Sequence, residues 1–300
     1  MPNKIKLVFW NEPNFGDMLS PYIIGKLSGK NIIYKEAYYG VRYCIKKILR
    51  LIISGNTNRI KSIHFGWEKN LLAIGSIISW GNKHSIVWGS GFINEQQKFK
   101  GGTIYAVRGK YTDAKLKKDG FKGASVYGDP ALLMPLLISP SKKKIVDIAI
   151  IPHWSEFDYF QEKYGDKYKI IDLRTKNIKQ VISEITSCCR ILSTSLHGII
   201  ISHAYGIPAI WIRHNTLHDS NFKFYDYFSS VGIEEYEGLT NIDEFLSSPQ
   251  NYNSYFNHNK KLSLPNIDIN IIQRKLLSVA PFKIKTSIIP YIDTIPEDLN

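Results

Sequence analysis

Residues Cys189–Ile212, CRILSTSLHGIIISHAYGIPAIWI, decide how the chain is read. Ile191 and Leu192 read as the end of a buried strand, and Thr194 and Ser195 are both good helix N-caps. Leu196 to Tyr205 then carries apolar residues at helical spacing until Gly206 stops it. Ala209 to Ile212 is a second strand. This order puts His197 in the first turn of a helix, where free backbone N–H groups and the positive end of the macrodipole favour an anion. An imidazole there has its pKa lowered until a phosphate or carboxylate arrives to raise it. A bound ligand would thus set its protonation, which suits a general acid. The plainer alternative is a histidine that caps the helix or is hydrogen-bonded in the core, and this segment alone leaves both open.

Outward from this segment the same alternation recurs. Ile5 to Trp10 is a strand before a helix from about Met18 to Leu27. Leu71 to Ile74, Ile86 to Trp88 and Thr103 to Val107 are strands, and a helix from Lys110 to Lys118 follows. Strand and helix in alternation imply a parallel sheet covered on both faces. Around Ile138–Lys144, ISPSKKK, the pattern breaks into a link. A second α/β set begins with Val146 to Ile151 and continues through a helix near Ile178 to Cys188. The expected fold class is α/β, with two Rossmann-like domains facing a cleft: an N-terminal domain over 1–140 and a C-terminal domain over 145–266. A last helical pattern, Ile267 to Ala280 within residues 267–300, is placed to pack back on the first domain.

Three hundred residues with 44% hydrophobic content supply one or two substantial cores. The net charge of +13, with runs such as Lys46-Lys47-Ile48-Leu49-Arg50 and Lys142-Lys143-Lys144, fits anionic small substrates, an anionic membrane face or nucleic acid. Without zinc-finger spacing or an aromatic RNA-binding signature, nucleic acid ranks last. Three cysteines, two of them adjacent, make no disulfide framework, and a reducing cytoplasm is expected. Met1 to Trp10 is too short and polar for a signal peptide and no run approaches bilayer length, so the expected protein is soluble or peripheral at the inner face of the cell membrane. In Arg42 to Ile53, apolar residues at helical spacing oppose Arg42, Lys46, Lys47 and Arg50. The ordinary reading is a core-facing amphipathic helix, and the other is a helix lying on an anionic membrane.

Glycine-containing turns follow strands at their carboxyl ends, where open α/β sheets bind ligands. Asn11-Glu12-Pro13-Asn14-Phe15-Gly16-Asp17 and Trp88-Gly89-Ser90-Gly91-Phe92 are two of them. In Tyr105-Ala106-Val107-Arg108-Gly109-Lys110, Arg108 stands where a strand ends, and its fork can hold a carboxylate or phosphate by paired hydrogen bonds. Asp129, in Tyr127-Gly128-Asp129-Pro130, either binds substrate hydroxyls or caps Ala131 to Met134. Beyond the last strand come Arg213, His214, His218, Asp219 and Lys223. Lys223 could point into the cleft of His197, whereas the histidines lack any recognised ligand spacing, so no metal is expected.

In this order Asn14-Phe15-Gly16-Asp17, Gly89-Ser90-Gly91, Val107-Arg108-Gly109-Lys110-Tyr111-Thr112, Gly128-Asp129-Pro130, Ser195-Leu196-His197-Gly198 and Gly206-Ile207-Pro208 resemble the polysaccharide pyruvyl transferase family over about residues 5–230. The resemblance implies a fold similar to GT-B glycosyltransferases. It implies transfer of pyruvate from phosphoenolpyruvate, the donor substrate, onto two hydroxyls of a cell-surface sugar, oligosaccharide or lipid-linked glycan as a cyclic ketal, with no cofactor. It places the essential histidine at His197, the donor-binding arginine at Arg108 and a basic residue at Lys223. Further donor contacts fall on Ser195, Gly198 and Arg213, and acceptor contacts on Asn14, Gly16, Asp17, Gly89, Gly91 and Asp129. Many relatives carry arginine where Ser195 stands, so an anion contact made by it must come from elsewhere, with Arg213 a candidate; relatives also place their lysine sooner after the strand, and the longer segment here, Arg213 to Asn221, leaves Lys223 and Arg213 competing for one role. The rival readings are a nucleotide-sugar glycosyltransferase, against which stands the lack of Asp-x-Asp and of paired glutamates eight apart, and a non-catalytic module that binds glycan or membrane.

Overall fold

A computed structural model describes residues 3–214 and 221–288. Five parallel strands form the first sheet: β1 (Lys4–Val8), β2 (Asn31–Lys35), β3 (Asn70–Leu72), β4 (Ser85–Trp88) and β5 (Gly102–Ala106), in the order β2-β1-β3-β4-β5. Four parallel strands form the second: β6 (Val146–Ile151), β7 (Lys169–Ile170), β8 (Cys188–Ser193) and β9 (Ala209–Trp211), in the order β7-β6-β8-β9. The helices in chain order are α1 (Phe15–Ser28), α2 (Val41–Ile53), α3 (Lys110–Lys118), α4 (Phe157–Tyr164), α5 (Ile178–Thr186), α6 (Leu196–Ala204), α7 (Phe222–Val231), α8 (Ile242–Leu246), α9 (Pro249–His258), α10 (Lys260–Ser263) and α11 (Ile269–Ser278). None of the described helices is long and apolar enough to cross a membrane, and Cys44, Cys188 and Cys189 are free thiols.

The element that opens the first half shows how locally the sequence sets its bounds. Asn14 accepts a hydrogen bond from the Gly16 N–H, so α1 starts at Phe15 rather than at Met18, and Gly29 ends it in a left-handed conformation with φ 68°. In each sheet the first strand lies between the second and the third, so chain progression reverses direction there. Loops at the carboxyl ends of strands on either side of such a reversal part to leave a crevice, the place where open α/β sheets take ligands. The crevice of the first sheet lies between β1 and β3, and that of the second between β6 and β8.

One hydrophobic cluster runs through both halves, joining Leu7, Phe15 and Leu132 to Ile151, Ile199 and Ile200. The link at Ile138–Lys144 carries no helix or strand. The helix expected over Ile267 to Ala280 is α11. It packs on the first half, where Trp88 Nε1 donates to Leu276 O at 2.9 Å and Gln273 Nε2 to Leu132 O at 2.7 Å. Of the range 267–300, residues 289–300 lie outside the described ones. Helix α2 departs from the core-facing expectation. Cys44, Ile48 and Leu51 cover a satellite cluster with Ile60, Ile63 and Phe65, while Val41, Ile45, Leu49, Ile52 and Ile53 face outward.

Candidate active site

The two crevices face one another across a cavity of about 190 Å³. From the first sheet it is lined by Trp10, Asn14 and Asp17 after β1 and by Gly75, Ser76 and Ile77 after β3. From the second it takes His153 and Trp154 after β6 and Ser195, Leu196 and His197 after β8. Trp80, Ile93, Leu173 and Lys223 complete the wall. The backbones of the halves meet here, the Phe15 N–H donating to Leu173 O at 2.8 Å. The first turns of α1 and α6 therefore converge on one space; the Phe15 and Gly16 N–H groups of α1 are taken by Leu173 O and Asn14 Oδ1, whereas Ser195 gives the start of α6 no side-chain cap.

His197 stands at this convergence. A Cβ on Gly16 would lie 2.2 Å from its Nδ1, so only glycine lets the ring sit against α1. Its Nε2 is buried with no hydrogen-bond partner among the described residues. Burial, followed by the charges of Arg108 and Lys223, holds its pKa down to about 3, so the ring is neutral until something anionic offsets those cations. Lys223 is set by the first turn of α7, its Nζ 5.3 Å from the Phe224 ring centroid. Burial and then Arg108 lower it to about 8. Asp17, in the first turn of α1, is pushed up to about 7 by burial. An uncharged imidazole, a carboxyl that titrates near pH 7 and a softened cation thus share one wall.

Arg108 lies behind that wall. Its guanidinium is wholly buried: Nε donates to Asp226 Oδ2 at 2.9 Å, Nη1 to Ser76 Oγ at 2.6 Å and Nη2 to Phe92 O at 2.6 Å. The fork expected to grip a ligand is met by protein acceptors, because a buried charge without partners would be costly. Its route to the cavity runs through Ser76, which lines it. Asp226 also accepts from the Thr112 N–H and Oγ1, locking α7 to α3. Gly91 has no room for a side chain here, since a Cβ would lie 2.7 Å from Arg108 Cζ.

The remaining expected residues divide clearly. Asn14, Asp17, Ser195, His197 and Lys223 line the cavity, and Gly16 lies directly behind His197. Gly89 packs on Pro130, and Gly198 on Ser193 and Ile151, both away from the wall. Asp129 is wholly buried. Its Oδ1 accepts from the Ala131 N–H, its Oδ2 has no partner among the described residues, and burial raises it to about 7. Arg213 pairs with Glu237 and does not line the cavity, so of the two basic candidates it is Lys223 that reaches it. His214 stacks on Tyr159, and His218 and Asp219 lie outside the described residues. No group of three metal-binding side chains occurs among the described residues.

Sequence reasoning gave no role to Trp10, Ser76, Trp80, His153, Trp154 or Asp226. A carboxylate in the aromatic run FKFYDYF hints at a buried and paired Asp226, but nothing in the run points to Arg108 as its partner. A wider groove of about 730 Å³ lies along α8 and α9, but its Glu244 and His258 are exposed and bonded to Asn241 and Ser254.

Fold and site define an α/β protein with a polar-lined cavity between two parallel sheets. The sequence model of the polysaccharide pyruvyl transferase family matches residues 14–216, and the chain belongs to that family. It is 34% identical over 171 residues to the uncharacterized protein L143 of Acanthamoeba polyphaga mimivirus, covering 54% of this chain and 60% of that one. It is 28% identical over 181 residues to the succinoglycan biosynthesis protein ExoV of Rhizobium meliloti (strain 1021), covering 55% of each. The matches thus span little more than half of these curated relatives. A crystal structure described as the functional uncharacterized protein KP1_0663 from Klebsiella pneumoniae subsp. pneumoniae NTUH-K2044 has a TM-score of 0.36 at 14% identity, covering 88% of this chain and 94% of that one.

Proposed function

We propose that this protein transfers pyruvate from phosphoenolpyruvate onto two hydroxyls of a sugar as a cyclic ketal, in polysaccharide biosynthesis, across a cleft of GT-B type. The observation that carries the reading is that His197, its buried Nε2 without a partner among the described residues, and Lys223 line one cavity, with Arg108 behind Ser76 in its wall. Family membership and the saccharide context in the name of the Rhizobium relative support it.

The donor trianion would sit against the N–H groups of α6 and beside Lys223, with Arg108 adding positive potential from behind Ser76. Its charge offsets the two cations and favours the charged ring against the cost of burial, so the ring takes up a proton. His197 gives that proton to the methylene carbon, leaving an oxocarbenium centre at C2. A first sugar hydroxyl bonds to C2 as Asp17 accepts its proton. The C2–O bond to phosphate then breaks, and phosphate leaves with the proton from Asp17. The second hydroxyl closes the ketal and returns a proton to His197. Donor and diol give ketal and inorganic phosphate with no cofactor and no other reactant. Trp10, Trp80 and Trp154 offer flat apolar faces for the sugar ring.

The test is phosphate release from phosphoenolpyruvate over a panel of glycosides, with products weighed by mass spectrometry. A product heavier by pyruvate less water, lost with His197→Ala by roughly 10²- to 10⁴-fold, is expected. Transfer from nucleotide sugars instead, or glycan binding without phosphate release, would overturn the reading.

A further inference from the structure

We propose that the outer face of α2 docks this protein on an anionic phospholipid bilayer. Val41, Ile45, Leu49 and Ile53 recur every fourth residue and expose 53, 53, 55 and 87% of their surface, with Ile52 beside them at 54%. The opposite face is already occupied by the satellite cluster, so this stripe is a second apolar face that no described part of the chain covers. Arg42, Lys46 and Arg50 run alongside it, exposed and without an ion pair among the described residues, while Lys47 is taken by Glu36. The helix contains no acidic residue. Tyr39 and Tyr43, edge to face at 5.0 Å, and Trp67, stacked on Phe65 at 4.9 Å, add exposed aromatic rings on the same satellite unit.

An apolar stripe between unpaired cations fits an interface whose depth is hydrocarbon and whose surface is negative. Charge separates this occupant from a second copy of the chain. A symmetric pairing on α2 would set Arg42, Lys46 and Arg50 against themselves, whereas anionic headgroups neutralise them. The satellite unit that carries this face adjoins the cavity, because the Tyr38 N–H, two residues before Gly40 opens α2, donates at 2.8 Å to the carbonyl of Trp80 in the cavity wall. A sugar acceptor held at the bilayer by a lipid tail would be presented beside the cavity. This last step rests on the function proposed above, and the docking does not.

Flotation with vesicles tests it: phosphatidylcholine alone, and phosphatidylcholine with a minority of phosphatidylglycerol. The protein should float with the second and stay in solution with the first. Leu49→Asp with Ile45→Asp, and separately Arg42→Glu with Lys46→Glu and Arg50→Glu, should each weaken partitioning by about tenfold or more while leaving the melting temperature and phosphate release with a water-soluble acceptor unchanged. Failure of the wild type to float with anionic vesicles overturns the proposal. So does flotation of both variants like the wild type, or a dimer in sedimentation velocity that Leu49→Asp converts to monomer. Vesicle binding without any pyruvyl transfer would sink the catalytic reading and leave the docking intact.

Discussion

The imidazole of His197 fills the space that a side chain at Gly16 would need, so the first turn of one helix serves as the seat for the catalytic candidate on another. Gly16→Ala should therefore push the ring from its place while leaving the cores untouched. A displacement of about 1 Å is enough to cost roughly 10²-fold in turnover. Phosphate release should fall by that order with the protein still folded by circular dichroism. Gly16→Ala combined with His197→Ala should be no slower than His197→Ala alone, because both act on one group.

Arg108 and Asp226 are both wholly buried and joined at 2.9 Å. Removal of either partner strands the other charge in the interior, a loss of about 3–5 kcal/mol. Urea denaturation of Asp226→Ala should show a loss of that size. The double variant Arg108→Ala/Asp226→Ala should lose less than the sum of the two single ones. A near-zero effect of Asp226→Ala would mean that Arg108 finds another partner.

The pH profile of kcat/KM should follow the free enzyme, in which His197 is neutral and must take up a proton while Asp17 gives one up. The rate should be flat up to about pH 7, fall above it once Asp17 is already ionised, and fall more steeply above pH 8 as Lys223 loses its proton. Asp17→Asn should remove the plateau and Lys223→Met the steeper fall.

Stability carries a separate signature at Asp129. Burial raises its folded pKa to about 7, above the ordinary carboxyl value, so its contribution is complete below pH 4 and is lost as the pH climbs through 7. Asp129→Asn keeps the Oδ1 cap and abolishes the charge. It should melt above the wild type at pH 8, and the gap should close as the pH falls toward 4.

Trp154 is half-exposed, and its ring lies 5.5 Å from that of Trp10. If it supports the sugar, Trp154→Ala should raise the acceptor KM by about fivefold and leave the donor KM in place, as expected for loss of a contact worth roughly 1 kcal/mol. Initial rates with each substrate varied in turn measure this.

Strands rich in apolar β-branched residues were legible in the sequence: Val146–Ile151 is β6 to the residue, and α3 is Lys110–Lys118 as its spacing predicts. Strand β2, NIIYK, was not, because it lies at a sheet edge and carries charge at its end. Nor was β7, which is only two residues long. Helices α8 to α10 are short and mostly polar, so their periods hardly register. Among site residues, Asn14, Asp17, Ser195 and His197 were found because the turns that hold them start helices, whereas Ser76 and His153 follow β3 and β6 with no helix start to mark them. Trp10 and Trp154 read as ordinary apolar residues until the topology turned them inward. Arg108 shows the limit most sharply, since its position was legible and its partner, 118 residues away, was not.

The apolar cluster that joins Leu7 and Phe15 to Ile151 and Ile199 bears on how the molecule comes apart. Two halves that each kept a private core could open like a book and melt in turn. Halves that share one cannot part without wetting it. Heating should thus give a single calorimetric transition, and traffic into the cleft must pass by rearrangement of the tryptophans at its rim rather than by the swing of one half from the other.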